Sequence, residues 1–139
     1  SMYLSYDDLL TGINSESLNV ITRNRDNAEQ AIREAVAEVK SYLSVRYDID
    51  NELMKSGSDR DPMVFRMVRD IALYRCYAIS NPSSMPEIRR RNYEDTISLL
   101  KSIQSEKAAL PGLKRLDGDN GGSNYVKYGG NTKRKNKWL

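Results

Sequence analysis

The sequence predicts an all-α fold: a small bundle of three long helices, preceded by short N-terminal helices and followed by an extended C-terminal arm. Two observations carry that prediction. Apolar residues recur at steps of three and four along three separate stretches, the spacing that puts one stripe on one face of a helix. Each stretch opens on a residue suited to a helix start, Asp26, Asp61-Pro62 or Pro86-Glu87. A chain of 139 residues has room for one helical core and not for two.

Residues 3 to 22 read as two short helical turns separated by Gly12. Tyr6 to Leu10 follows a cap at Ser5, and Glu16 to Ile21 follows Asn14 or Ser15. Ser1 ahead of Met2 reads as a scar of tag removal and is set aside. The first long helix, 26 to 47, is expected to start at Asp26 with Glu29 completing a capping box. Its stripe is Ala28, Ala31, Ile32, Ala35, Val36, Val39 and Leu43, in which small alanines permit close packing. Its other face carries Glu29, Arg33, Glu34, Glu38 and Lys40, with Glu29 and Arg33 in the favourable i,i+4 order.

Residues 48 to 61 are polar and turn-forming and are expected to be a loop. The second long helix, 62 to 80, begins at Pro62, where proline gives up an amide that had no helical partner. Val64, Met67, Val68, Ile71, Ala72, Tyr74 and Ala78, widened by Leu73 and Tyr77, should make it the most buried helix. Asn81 to Ser84 stop it, and the third, 86 to 105, runs through Ile88, Tyr93, Ile97, Leu100 and Ile103. Two units follow: a helical domain over 1–108 and an arm over 109–139, rich in Gly, Asn and Asp from Asp117 to Asn124. Within the arm, Tyr125, Val126, Lys127 and Tyr128 could form a short strand on a partner's edge.

Composition narrows the chemistry. Histidine is absent, which removes Ser-His-Asp and Cys-His mechanisms and almost every common zinc site. The apolar runs are far short of the roughly 20 residues that cross a bilayer, so a membrane is not an expected partner. The lone Cys76 has no internal disulfide partner and reads as a small core hydrophobe. Charge is uneven: residues 1–105 hold 14 basic and 16 acidic side chains, net −2, and residues 106–139 hold 8 and 3, net +5.

Few residues suggest a site. Asp48, Asp50 and Glu52 alternate like the opening of a calcium loop, but Leu53 stands where that loop needs glycine. Asp117 to Gly122 lacks the downstream bidentate glutamate and reads as a linker, so no metal or other cofactor is expected. The pairs Asp7/Asp8 and Glu34/Glu38 suit a helix start and a solvated face better than acid-base catalysis. Arg89, Arg90 and Arg91 form the densest basic cluster of the body: a subunit contact, or a solvated helix start partly neutralised by Glu94 and Asp95. The arm ends in Lys133, Arg134, Lys135, Lys137 and Trp138, suited to phosphates or an acidic protein surface. Trp138 is the single tryptophan and an anchor candidate; burying roughly 200 Å² of it would contribute about 5 kcal/mol before ordering costs.

Several segments, taken in order and spacing, resemble the head-tail connector (adaptor or head-completion) proteins of long-tailed double-stranded DNA phages, including the Mu-like prophage branch. They are Met2 to Leu10, Ala31 to Leu43 with Arg46-Tyr47-Asp48, Val68 to Tyr74, and Pro86 to Tyr93. The resemblance covers about residues 2 to 105. It implies a structural protein without catalytic residues, located in the virion neck and assembled in the bacterial host cytoplasm. Such connectors form a ring, typically a dodecamer, beneath the portal protein, extend the DNA channel and meet the next neck or tail protein. Double-stranded DNA would pass through without sequence-specific binding. In this reading Tyr125, Tyr128, Lys133, Arg134, Lys135, Lys137 and Trp138 would grip the portal, although an arm this long departs from the short ends of the Mu-like branch. The rival reading is a nucleic-acid-binding module, with the basic arm on phosphates and Tyr125, Tyr128 and Trp138 stacked on bases.

Overall fold

A computed structural model describes residues 2–11, 13 and 15–116. The described chain is mostly helical: α1 Tyr6–Leu10, α2 Ser15–Arg23, α3 Arg25–Leu43, α4 Ile49–Leu53, α5 Pro62–Ser80 and α6 Glu87–Gln104. Short 3-10 turns lie at Gly57–Asp59 and Pro82–Ser84. The extended pairing among the described residues is an isolated antiparallel bridge between Tyr47 and Arg115.

Local chemistry explains the helix starts. The Ser5 hydroxyl accepts from Asp8 N while the Asp8 carboxylate accepts from Ser5 N, a full capping box on α1. Asp61 Oδ2 accepts from Met63 N and Val64 N with Pro62 at the first position of α5, as the sequence predicts. The start of α3 differs from expectation. Asn24, in extended conformation, accepts from Asn27 N, so Asp26 falls within the first turn, where its charge meets the helix dipole. Glu29 does not close a box; it pairs with Arg25 at 3.2 Å.

Two further expectations are corrected. The first long helix stops at Leu43 and not at Tyr47, because the Tyr47 side chain is buried and its hydroxyl accepts from Leu110 N at 3.0 Å. The stretch 48–61 is not simply a loop. Asp48 caps α4 by accepting from Asn51 N, and Ile49 and Glu52 turn inward to almost complete burial. Gly57 takes a φ of +59°, which favours glycine, at the turn leading to α5.

The core sits where α3, α5 and α6 meet. Ala28, Ala31 and Ala35 are fully enclosed on α3, and their lack of bulk lets α5 come close. α5 contributes more buried side chains than α3 or α6, among them Val64, Met67, Val68, Ile71 and Leu73. Tyr74 and Ala78, expected on that face, are only half-buried. α6 contributes Thr96, Leu100 and Ile103, while Ile88, expected inside, is 46% exposed. Leu4, Leu9 and Ile21 close the N-terminal end of the same core. Cys76 lies within it, and burial pushes its thiol up to about 12. No helix among the described residues is long and apolar enough to cross a membrane.

The segment after α6 returns to this body. Glu106 turns the chain with a φ of +67°, and Leu110 and Leu113 then bury against the core. Asp48 N donates to Lys114 O and Leu116 N to Arg46 O, fixing residues 114–116 along the end of α3. A Cβ at Gly112 would run into Asp61 Oδ1, so a larger residue there would push on the carboxylate that caps α5. Leu110 to Leu116 therefore pack on the helical body.

Candidate functional site

The body presents two polar hubs and a clamp on the segment after α6. The first hub is Glu52, whose side chain is only 2% exposed. Its Oε2 accepts from Tyr3 Oη at 2.7 Å and from Asp61 N at 2.6 Å, and Lys55 Nζ lies 3.3 Å from Oε1. Burial, and then the bond to Glu52, raise the Tyr3 hydroxyl far above its ordinary value. Arg60 extends the hub by donating to Tyr3 O and Asp8 Oδ2, both at 2.8 Å, and to Gly57 O, while lying over the Phe65 ring. Burial alone would raise the Asp8 carboxyl, but Arg60 and Ser5 together hold it below its usual value. Residues far apart in sequence thus latch the N-terminal segment onto the approach to α5.

The second hub ties the three long helices together. Arg75 on α5 donates to Glu38 Oε1 on α3 at 2.9 Å, and Tyr93 Oη on α6 donates to Glu38 Oε2 at 2.9 Å. The Tyr93 ring stacks on Tyr74 at 3.9 Å between centroids. Burial and the Glu38 carboxylate push the Tyr93 hydroxyl up to about 12. Glu38 is therefore a structural acceptor, and no hydrogen bond or ion pair links it to Glu34. The other carboxylates considered from sequence also disperse. Asp48 caps α4, Asp50 meets Lys40 at 2.9 Å, and Glu52 turns inside. No cluster that could hold a metal ion occurs among the described residues.

Arg89, Arg90 and Arg91 occupy the first turns of α6 and separate around it, Arg89 half-buried and the other two exposed. Arg91 reaches Glu87 at 3.9 Å, and neither Arg90–Glu94 nor Arg91–Asp95 forms. The Nε of Arg89 is enclosed without a hydrogen-bond partner among the described residues. Its charge also bears on Asp70 of α5: burial raises that carboxyl, against the opposing pull of Arg69, Arg66 and Arg89. An acid raised in the folded state costs stability as pH climbs through the carboxylate range, and the cost is complete above the raised value. Asp70→Asn is accordingly expected to raise the thermal midpoint at neutral pH by about 1–3 °C. In acid, where Asp70 is already protonated, the gain should vanish; melting curves across pH check both halves.

The segment after α6 is clamped around Arg46 and Tyr47. Arg46 Nη1 pairs with Glu106 at 2.8 Å and its Nε donates to Gln104 O, while Arg115 also approaches Glu106 and lies over the Tyr47 ring. Residues 114–116 are thereby held beside the end of α3. Tyr125, Tyr128, Lys133, Arg134, Lys135, Lys137 and Trp138 lie outside the described residues, as does the stretch Asp117 to Asn124.

Comparison with known families bears on the whole body. The model of the family described as Bacteriophage Mu, Gp36 matches residues 3–125, taking in both hubs, the clamp and the beginning of the arm. The chain belongs to this family. No match was found among curated proteins or among solved structures. For this Mu Gp36 family member, the four segments that carry the resemblance to phage proteins all fall almost wholly within the matched span. Sequence reasoning missed Glu52, Arg60 and Arg75 as organising residues. Their roles depend on Tyr3, Asp8, Glu38 and Tyr93, which no local spacing connects to them.

Proposed function

We propose that this Mu Gp36 family member is a structural protein of the phage neck and not an enzyme. Copies stand side by side in a ring, on the dodecameric pattern of head-tail connectors, beneath the portal. The ring joins the DNA-filled capsid to the tail and extends the channel, through which double-stranded DNA passes without sequence-specific contact. The tail-side surface meets the next neck or tail protein, and the ring takes its place in the virion after assembly in the host cytoplasm.

The observation that carries this reading is the family match over residues 3–125. It is supported by the chemistry of the body, where two of the four carboxylates weighed as catalytic, Asp8 and Glu38, act instead as a helix cap and a cross-link. In this reading the arm departs from the Arg46–Tyr47 clamp to the portal. Lys133, Arg134, Lys135 and Lys137 meet acidic groups there, and Trp138 enters a pocket. Arg89, Arg90 and Arg91, spread around the start of α6, contribute to the contact between copies.

Cosedimentation with purified portal, with electron microscopy of the product, tests the assignment. Deleting residues 125–139 should abolish portal binding and leave the helical circular dichroism unchanged. Undiminished binding by the shortened chain would remove the arm from the mechanism. Titration with double-stranded DNA at low and high salt separates the rival: tight, steeply salt-dependent binding by the isolated protein would favour a nucleic-acid-binding module.

A further inference from the structure

Beside its core stripe, α3 carries a second one. Arg33, Val36, Ala37 and Lys40 follow one another at i, i+3, i+4 and i+7, so they line one face over roughly 10 Å. Met2 and Tyr3 from the N-terminal segment and Leu53 from α4 close the other side, leaving an open cavity of about 360 Å³. Its volume is that of a small ligand pocket, and its floor is apolar. Met2 is 37% exposed on its edge.

The rim is cationic for a definite reason. Glu29, the natural i,i+4 partner of Arg33, is taken by Arg25, so Arg33 has no ion pair among the described residues. Lys40 meets Asp50 at 2.9 Å, but both side chains are mostly exposed, and such a pair is weak and readily exchanged. Glu52 is buried, with Tyr3 Oη and Asp61 N on its Oε2 and its charge offset by the Lys55 ammonium 3.3 Å from Oε1. Counting Arg33, Lys40 and Asp50, the rim carries one net positive charge above an apolar floor.

We infer that this groove docks an acidic segment of a partner protein, with one large apolar side chain on the floor and a carboxylate against Arg33. Charge complementarity selects the occupant. This chain's own terminal region, net +5 over residues 106–139, has the wrong sign, so the groove serves a different contact from the one the arm makes. The inference does not depend on the neck assignment.

Fluorescence anisotropy of labelled peptides on the full chain tests it. The probes are Asp-Glu-Leu-Trp-Asp-Glu, its Lys-for-acid counterpart, and its Ala-for-Leu/Trp counterpart. The acidic Leu-Trp peptide should bind at least about tenfold more tightly than either control and weaken at high salt. Arg33→Glu and Ala37→Trp, which reverse the rim charge and fill the groove, should each weaken it about tenfold. Both positions are exposed; thermal melting identifies a variant that has lost its fold, and the other then decides. Deleting residues 125–139 should leave peptide binding unchanged, which separates this contact from portal binding. The idea is overturned if the acidic peptide does not bind, if it prefers neither sign, or if both folded variants bind it as the parent does.

Discussion

Replacing Glu52 by alanine is expected to lower the stability of the protein by about 3–5 kcal/mol, the usual cost of removing one partner from a buried charged network. The side chain is enclosed, its Oε2 accepts from Tyr3 Oη and Asp61 N, and its Oε1, without a hydrogen bond among the described residues, has only the Lys55 ammonium at 3.3 Å. Alanine would strand a buried hydroxyl, at about 1–3 kcal/mol, and a part-buried amide, at less. It would also loosen Asp61, the cap of α5. Glu52→Gln keeps the shape and one acceptor and should cost less than half as much. Urea denaturation with an unchanged slope reads the difference directly. A loss below about 1 kcal/mol for alanine would mean that water reaches the hub. The neighbouring Asp8–Arg60 link adds a pH dependence of known sign. Because the Asp8 carboxyl is lowered in the fold, its contribution is full at neutral pH and disappears as pH falls through that lowered value.

The hub also shows which parts of the fold the sequence can announce. Ser5 and Asp61-Pro62 were readable because a cap and its amides are neighbours in the chain, so the interaction is encoded within four residues. The stripe of α3 and the wide apolar face of α5 were readable for the same reason: periodicity is local. α4 was not, since only Ile49 and Leu53 mark it within a polar stretch, and what turns Glu52 inward is Tyr3, 49 residues away. The competition for Glu29 shows the limit from another side. The i,i+4 order favours Arg33 as its partner, but Arg25 takes it, which leaves Arg33 without an ion pair among the described residues. Of the candidate partner-binding residues, Arg89, Arg90 and Arg91 were found in the chain and placed on α6, but their separation around that helix follows from 100° steps and not from composition.

Ending the chain after Ala108 is expected to destabilise it by about 3–6 kcal/mol relative to ending it after Leu116. Leu110 and Leu113 are 3% and 8% exposed, and burying a leucine contributes about 1.5–3 kcal/mol. The shorter chain would also lose the amide of Leu110 that serves the buried Tyr47 hydroxyl, and both backbone bonds flanking the Tyr47–Arg115 bridge. The chain ended after Leu116 keeps every one of these contacts and is therefore the proper reference. Thermal melts of the two should differ by about 10 °C or more, and the Ala108 form should expose Tyr47 to solvent, visible as a change in tyrosine fluorescence. Equal stability would show that residues 109–116 rest on the core without holding it together. A large gap would show that residues 109–116 belong to the folded body, tied to the end of α3 through Tyr47 and Arg46.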